Sequence, residues 1–187
     1  MRRVIAFEVV TADGFYEGEH GEFDWPNIDD DFNRLSVEQT SNFDTLLFGR
    51  VTYEGMSSYW PTPMAAEQNP PDIVDLMNRL PKVVFANSPV DTSWNNTTLV
   101  TGDSAAAVAD MKQGAGGDMV SYGSFRLVTS LLEAGLIDEL RVMIQPILLG
   151  RGKPMFSALA DRISLELIRS TTFASGNVLL RYRPRTG

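Results

Sequence analysis

Twice in this chain a short apolar strand stops at a glycine and turns at once into a helix. The first case is Leu46-Leu47-Phe48-Gly49-Arg50-Val51-Thr52-Tyr53-Glu54. The second is Met119-Val120-Ser121-Tyr122-Gly123-Ser124-Phe125-Arg126, which leads into the helical run Leu127 to Ala134. At each helix start the backbone N–H groups lack intrahelical partners and the dipole end is positive, a combination that attracts phosphate. Arg50 and Thr52 stand at the first of these starts and Ser124 and Phe125 at the second. Two donor-rich junctions point to a cofactor with more than one phosphate.

Around the junctions the periodicity predicts alternating strands and helices. Arg3 to Thr11 is β-branched and apolar and ends at the turn signal Asp13-Gly14; a glycine-rich polar loop, Tyr16 to Asn27, follows. Asp29-Asp30-Asp31 opens a helix reaching about Asn42, its first turn acidic as the dipole prefers. A strand over Thr45 to Phe48 and a helix from Arg50 to Ser58 come next, and Trp60-Pro61-Thr62-Pro63 reads as a break. Pro71 to Leu80 reads as helix, Pro81 to Ala86 and Leu99 to Thr101 as strands, and Ser104 to Gln113 as helix. Asp138 to Pro146 is a long strand, and the runs Ile163 to Phe173 and Asn177 to Tyr182 form a closing hairpin. This order describes an α/β fold: a central mixed, mostly parallel sheet flanked by helices, with an antiparallel hairpin at the C-terminal end.

With 187 residues and no linker, repeat or low-complexity tract, the chain reads as a single domain over 1–187. Its net charge of −8 argues against a nucleic-acid binder or a ligand of anionic membranes. An anionic ligand then needs a local basic pocket. With no cysteine, disulfides, thiolate chemistry and Cys-based zinc sites are excluded. Glu8 ends the first apolar run too early for a signal peptide and no segment has transmembrane length, so a cytoplasmic protein is expected.

In an open α/β sheet, ligands collect at the carboxyl ends of the parallel strands. Phe85-Ala86-Asn87-Ser88 puts two small polar side chains, Asn87 and Ser88, at such an end, suited to a ribose or its phosphate. Neither junction is a GxGxxG or a P-loop. Trp25 and Phe32 are candidates to stack on a flat heterocycle, and Gln145, before Pro146, to offer an amide to substrate. His20 and Gly150-Arg151-Gly152 read as solvated loop and turn, and no metal site is expected.

Together these residues resemble a known superfamily. Asp13-Gly14 after the first strand, Leu-Leu-Phe-Gly-Arg-x-Thr-Tyr-Glu and Tyr-Gly-Ser before a helix carry the likeness. So do Gly135-Leu136-Ile137-Asp138-Glu139-Leu140 and Pro146-Ile147-Leu148-Leu149-Gly150-Arg151-Gly152. In that order, over about residues 3 to 183, the chain resembles the dihydrofolate reductase-like superfamily. The nearer branch is the reductase half of the riboflavin-biosynthesis deaminase–reductase. The resemblance implies a three-layer fold and NADPH bound across the strand ends. Gly49, Arg50 and Thr52 would meet its phosphates, Asn87 and Ser88 would lie near the adenosine ribose, and Gly123 and Ser124, with Phe125 following, would meet the pyrophosphate. It also implies a loop tryptophan followed, with four residues intervening, by a helix carboxylate, a spacing that Trp25 and Asp30 share, and this carboxylate would bind substrate N–H groups and help deliver a proton. The expected activity is hydride transfer from NADPH to a small planar nitrogen heterocycle of pteridine or aminopyrimidine type. A homodimer, joined along the apolar run Leu140 to Leu149, is also expected. The alternatives are a non-catalytic dinucleotide-binding or self-associating protein of the same fold, and a true dihydrofolate reductase.

Overall fold

β1 (Val4–Thr11) is apolar on both sides and buried along almost its whole length, which suits a strand covered on both faces. In the computed structural model, which describes residues 1–185, it lies near the centre of an eight-stranded sheet. β3 (Phe43–Gly49), β4 (Lys82–Phe85), β5 (Thr97–Val100) and β6 (Asp118–Tyr122) extend the sheet on one side; β7 (Glu139–Gln145), β9 (Ser164–Thr172) and β10 (Val178–Arg185) extend it on the other. The order is β5-β4-β3-β6-β1-β7-β10-β9. β1 to β7 run parallel where they pair in this sheet, and β10 runs antiparallel to both β7 and β9.

Strand alternation splits the core into two layers. Val4, Ala6, Val10, Leu47 and Met119 face α5 (Ser104–Gln113) and α6 (Phe125–Glu133), which contribute Val108, Leu127, Val128 and Leu131. Ile5, Phe7, Leu46, Phe48 and Val120 face the opposite helices. These are α1 (Asp30–Thr40), α2 (Arg50–Tyr59) and α4 (Pro71–Arg79), which supply Tyr53, Ile73, Leu76 and Met77 with Phe32 and Leu35 at the margin. The expected three-layer architecture with its C-terminal hairpin is the one observed.

Three elements differ from expectation. Trp60 to Pro63 is not a simple break, because α3 (Pro63–Gln68) starts there: Thr62 caps it by accepting the Ala65 N–H, and Pro63 sits where no intrahelical donor is needed. The polar loop holds β2 (Phe15–Glu17), which pairs with β8 (Lys153–Pro154) as a separate small ribbon. And β7 is hydrogen-bonded to β1 on one side and β10 on the other, so Leu140 to Gln145 has no free edge to join a second sheet. Later in the expected run Ile147 and Leu148 are exposed, as are Leu165, Leu167 and Ile168 on the outer strand β9.

The motifs that are far apart in sequence brace one another here. The Asp13 carboxylate accepts the backbone N–H groups of Leu149 and Gly150, at 3.2 and 2.7 Å, joining the Asp-Gly turn to the Leu-Leu-Gly segment. The Thr11 hydroxyl and those N–H groups hold the Asp13 carboxyl below the usual carboxylate range. Next to them Gly152 leaves no room for a side chain, since a Cβ there would lie 2.4 Å from the Glu17 carbonyl oxygen. Gly152→Ala is therefore expected to part β2 from β8 and cost about 1–3 kcal/mol. Faster hydrogen exchange at Phe15 to Glu17 and a lower melting temperature would report it.

Candidate functional site: two helix starts at the strand ends

The carboxyl ends of β1, β3 and β6 meet at a topological switch. β6 pairs with β1 only as far as Phe7, and the Gly123 N–H makes the last bond, to the Phe7 carbonyl at 3.2 Å. β7 follows β1 further, to Thr11. From Glu8 onward β1 thus has no strand on its β6 side, the place where an open α/β sheet has its ligand crevice.

Both strand–glycine–helix junctions stand at this cleft, and two hydrogen bonds fasten them together. The Gly49 N–H donates to the Ser124 hydroxyl at 3.0 Å, and the Thr52 hydroxyl donates to the Gly123 carbonyl at 3.2 Å. A Cβ at Gly49 would be 3.9 Å from both Ser124 and Leu127, so the glycine leaves a small concavity between the helix starts. Gly123 takes a φ of +67°, a conformation that glycine adopts without strain and that swings the chain from β6 into α6.

The helix starts themselves are unsatisfied. Asp29, Thr62 and Asp103 cap α1, α3 and α5 with side-chain oxygens. α2 and α6 have no such cap, and neither has the proline-led α4. Arg50 is the first residue of α2 and Arg126 the second of α6, each a cation at the positive end of a helix dipole. Both are exposed, and Glu54 relieves Arg50 through a 3.1 Å ion pair. Uncapped N–H groups, a hollow left by a glycine and two misplaced cations make a cradle for a polyanion.

The other expected site residues are distributed unevenly. Ser88 is exposed beyond β4, and Asn87 accepts the Gly102 N–H at 2.7 Å, tying the end of β4 to the chain after β5. Phe125 is buried as the first residue of α6, and its ring stacks on Tyr16 with centroids 3.9 Å apart. Phe32 packs edge-on against Phe7, as does Tyr122, the neighbour of Phe7 across the strand pair. Trp25 is half-buried, its indole N–H without a partner, and packs against Phe23. Gln145 is fully buried, and its carbonyl oxygen accepts the Asn27 N–H at 2.7 Å. Asn177, which stands opposite it on the hairpin, donates to the Asn27 carbonyl at 3.0 Å. This pair of amides pins the Trp25 to Asn27 loop over the strand ends.

The three neighbouring aspartates have separate fates. Asp29 caps α1 through the Phe32 N–H, the main reason that its carboxyl lies below the usual range. Asp31 pairs with Arg34. Asp30 is exposed on the first turn and carries neither a cap nor an ion pair. Across the cleft, burial pushes the Tyr122 phenol well above its ordinary range, although its hydroxyl shares a 2.6 Å hydrogen bond with Thr40.

Sequence reasoning passed over Glu8, Tyr16, Arg126 and Asn177. Glu8 had a visible signal, since it is the one charged side chain within the otherwise uncharged run Val4 to Thr11. It is fully buried, neither carboxyl oxygen has a partner, and burial raises its pKa well above the usual range. Asn177 had none, because its job depends on the register of the closing hairpin.

Known proteins share this architecture. A dihydrofolate reductase from Enterococcus faecalis, solved in complex with NADP(H), superposes with a TM-score of 0.65 at 16% identity, over 98% of this chain and 97% of its own. A Shewanella sp. PV-4 protein named for riboflavin biosynthesis superposes at 0.74 with 23% identity, over 98% and 99%. In sequence, the uncharacterized protein YyaP of Bacillus subtilis is 32% identical over 185 residues, 97% of this chain and 94% of its own. No helix among the described residues is long and apolar enough to cross a membrane. Residues 2–179, from β1 through both junctions to the first residues of β10, match the RibD C-terminal domain, so the chain belongs to the RibD C-terminal domain family, with a dihydrofolate reductase-like fold.

Proposed function

We propose that this chain is a cytoplasmic NADPH-dependent reductase that passes hydride to a small planar nitrogen heterocycle of pteridine or aminopyrimidine type. The observation that carries the reading is the facing pair of uncapped helix starts, fastened together at the switch between β1 and β6. First-turn N–H donors of α2 and α6 would hold the NADPH pyrophosphate, with charge from Arg126, and Arg50 would meet the adenosine-side phosphate. When bound, the dihydronicotinamide supplies the hydride. Family membership supports a reductase, and the fold shared with an NADP(H)-bound dihydrofolate reductase supports the cofactor.

Substrate lies on the α1 side of the cleft, against Phe7, Phe32 and Tyr122, under the loop that Gln145 and Asn177 hold. Reduction of a C=N bond also needs a proton on nitrogen. Of the three aspartates at the start of α1, Asp30 is the one left unengaged to meet a substrate N–H, since Asp29 caps the helix and Asp31 holds Arg34. Its exposure favours a second reading, a dinucleotide-binding protein that has kept the cradle and lost turnover. The two readings separate when NADPH absorbance is followed with a panel of aminopyrimidines and pteridines. The reductase oxidises NADPH only when a heterocycle is present, and the binding protein never does.

Arg50 reports on the phosphates. Arg50→Ala is expected to weaken NADPH about tenfold, or about 1.4 kcal/mol, and NADH far less. Equal losses in calorimetry would put Arg50 on the shared pyrophosphate. Homodimerisation belongs to the same proposal, with the exposed Leu165, Leu167 and Ile168 of β9 as the apolar surface at hand; light scattering measures it.

A further inference from the structure

Glu8 is where the sheet departs from its own rules. Its neighbours on the same face of β1, Val4, Ala6 and Val10, belong to the core layer under α6. Glu8 shares that layer, with no exposed surface and no partner for either oxygen. A lone buried carboxylate is costly, and even the neutral acid leaves a donor and an acceptor unmet. The Ser121 hydroxyl, on the same face opposite Ala6, is also fully buried and unpartnered. Both groups lie at the switch point, and Glu8 is the first residue of β1 beyond its pairing with β6. The stacked rings of Tyr16 and Phe125 lie close by, and Phe125 opens the very helix whose start forms half of the phosphate cradle. Buried polar groups left without partners at a ligand cleft point to a ligand that supplies them.

A neutral carboxyl presents an O–H donor beside a carbonyl acceptor. Its complement is the edge of a primary or cis amide, which presents C=O beside N–H, so that two parallel hydrogen bonds form. We propose that Glu8, in its protonated form, is a specificity residue that reads an amide edge delivered into the cleft between β1 and β6. The inference rests on the cofactor reading above. Two sources offer that edge: the carboxamide of the nicotinamide ring, one ribose away from the pyrophosphate, and the lactam edge of a pyrimidine-type substrate.

The test compares three forms of the full chain, wild type, Glu8→Gln and Glu8→Leu, by calorimetric titration. The ligands are NADPH, its analogue with an acetyl group in place of the carboxamide, and uracil added to the NADPH complex. Glutamine keeps a donor beside an acceptor and leucine has neither, so Glu8→Leu is expected to lose at least tenfold in affinity for the amide-bearing ligand while Glu8→Gln stays within about threefold. Loss of the preference for NADPH over the acetyl analogue names the cofactor as the source. An unchanged preference with a tenfold loss of uracil names the substrate. Raising the pH deprotonates Glu8 and should erode the amide preference in wild type but not in Glu8→Gln. Tyr16 on β2, whose own charged surroundings are Glu8, Glu17, Lys153 and Arg126, is the same in both proteins.

Leucine also removes an unmet buried carboxyl, so Glu8→Leu should melt no lower than wild type, and Glu8→Gln remains as a second folded variant. If wild type binds NADPH and Glu8→Leu matches it with all three ligands, Glu8 does not read an amide and the proposal falls. If wild type binds neither nucleotide, the cofactor reading itself has failed.

Discussion

Gly49→Asp should yield a protein that is at least as stable as wild type and has lost its dinucleotide. Gly49 is the N-cap of α2, with φ −77° and ψ 162°, the extended conformation in which an aspartate caps best. A Cβ there meets nothing nearer than 3.9 Å. The new carboxylate accepts the N–H groups of the first turn of α2 and gains from the helix dipole, worth a few tenths of a kcal/mol. The same carboxylate takes the donors that a phosphate needs and sets a negative charge where the pyrophosphate would lie. An affinity loss of at least about 100-fold, or about 2.7 kcal/mol, is expected for NADPH and NADH alike. Gly49→Ser caps without charge and should lose less. Melting curves and calorimetry on the three proteins check this; a stabilised Gly49→Asp protein that still binds NADPH would place the phosphates elsewhere.

The second large effect lies at the opposite end of the sheet. Glu139 opens β7 with its side chain 3% exposed and meets three arginines: Arg181 at 2.6 Å, Arg141 at 2.8 Å and Arg3 at 2.9 Å. These come from β10, from β7 itself and from the residue before β1, so one carboxylate ties three adjacent strands. Burial alone would raise its pKa, but the hydrogen bonds and charges of Arg181 and Arg141 outweigh burial and hold it at about 2. Glu139→Gln keeps the shape and removes the charge, leaving three guanidinium groups around a neutral amide. Breaking a buried ion pair by removing one partner costs about 3–5 kcal/mol, which for a domain of this size lowers the melting temperature by about 10 °C. Because the folded pKa lies below the ordinary 4.5, the stabilisation is complete above that value and disappears as the pH falls from about 5 to about 2. Urea titrations across that range should show the acid slope in wild type and a shallower one in Glu139→Gln.

The junctions were legible in the sequence because they are local: an apolar strand, a glycine and a donor-rich first turn occupy nine consecutive residues at Leu46 to Glu54. What the sequence concealed depends on register and helical phase. Asp29, Asp30 and Asp31 are equivalent as a string, and only the exact start of α1 makes the first a cap, the second exposed and the third a partner of Arg34. Gln145 could be placed at a strand end, but its bond to Asn27 requires the loop to fold back over β7, with Asn177 brought alongside by the hairpin. The apolar run Leu140 to Leu149 suits an interface as well as a core, and only the pairing of β7 with β1 and β10 puts its first part inside the sheet. β2 and β8, three and two residues long, fall below any periodic signal. The carboxylate visible at Glu8 was read only as the end of an apolar run, although a charge inside a strand buried on both faces is the strongest local anomaly in the chain.

The central claim is that the starts of α2 and α6 together hold the pyrophosphate of NADPH. Two-dimensional amide NMR of the isotopically labelled protein during an NADPH titration tests it most directly. The largest shifts are expected at the backbone N–H groups of Gly49 to Tyr53 and Gly123 to Leu127, and they should vanish in Gly49→Asp. Binding that leaves both segments unshifted would contradict the claim.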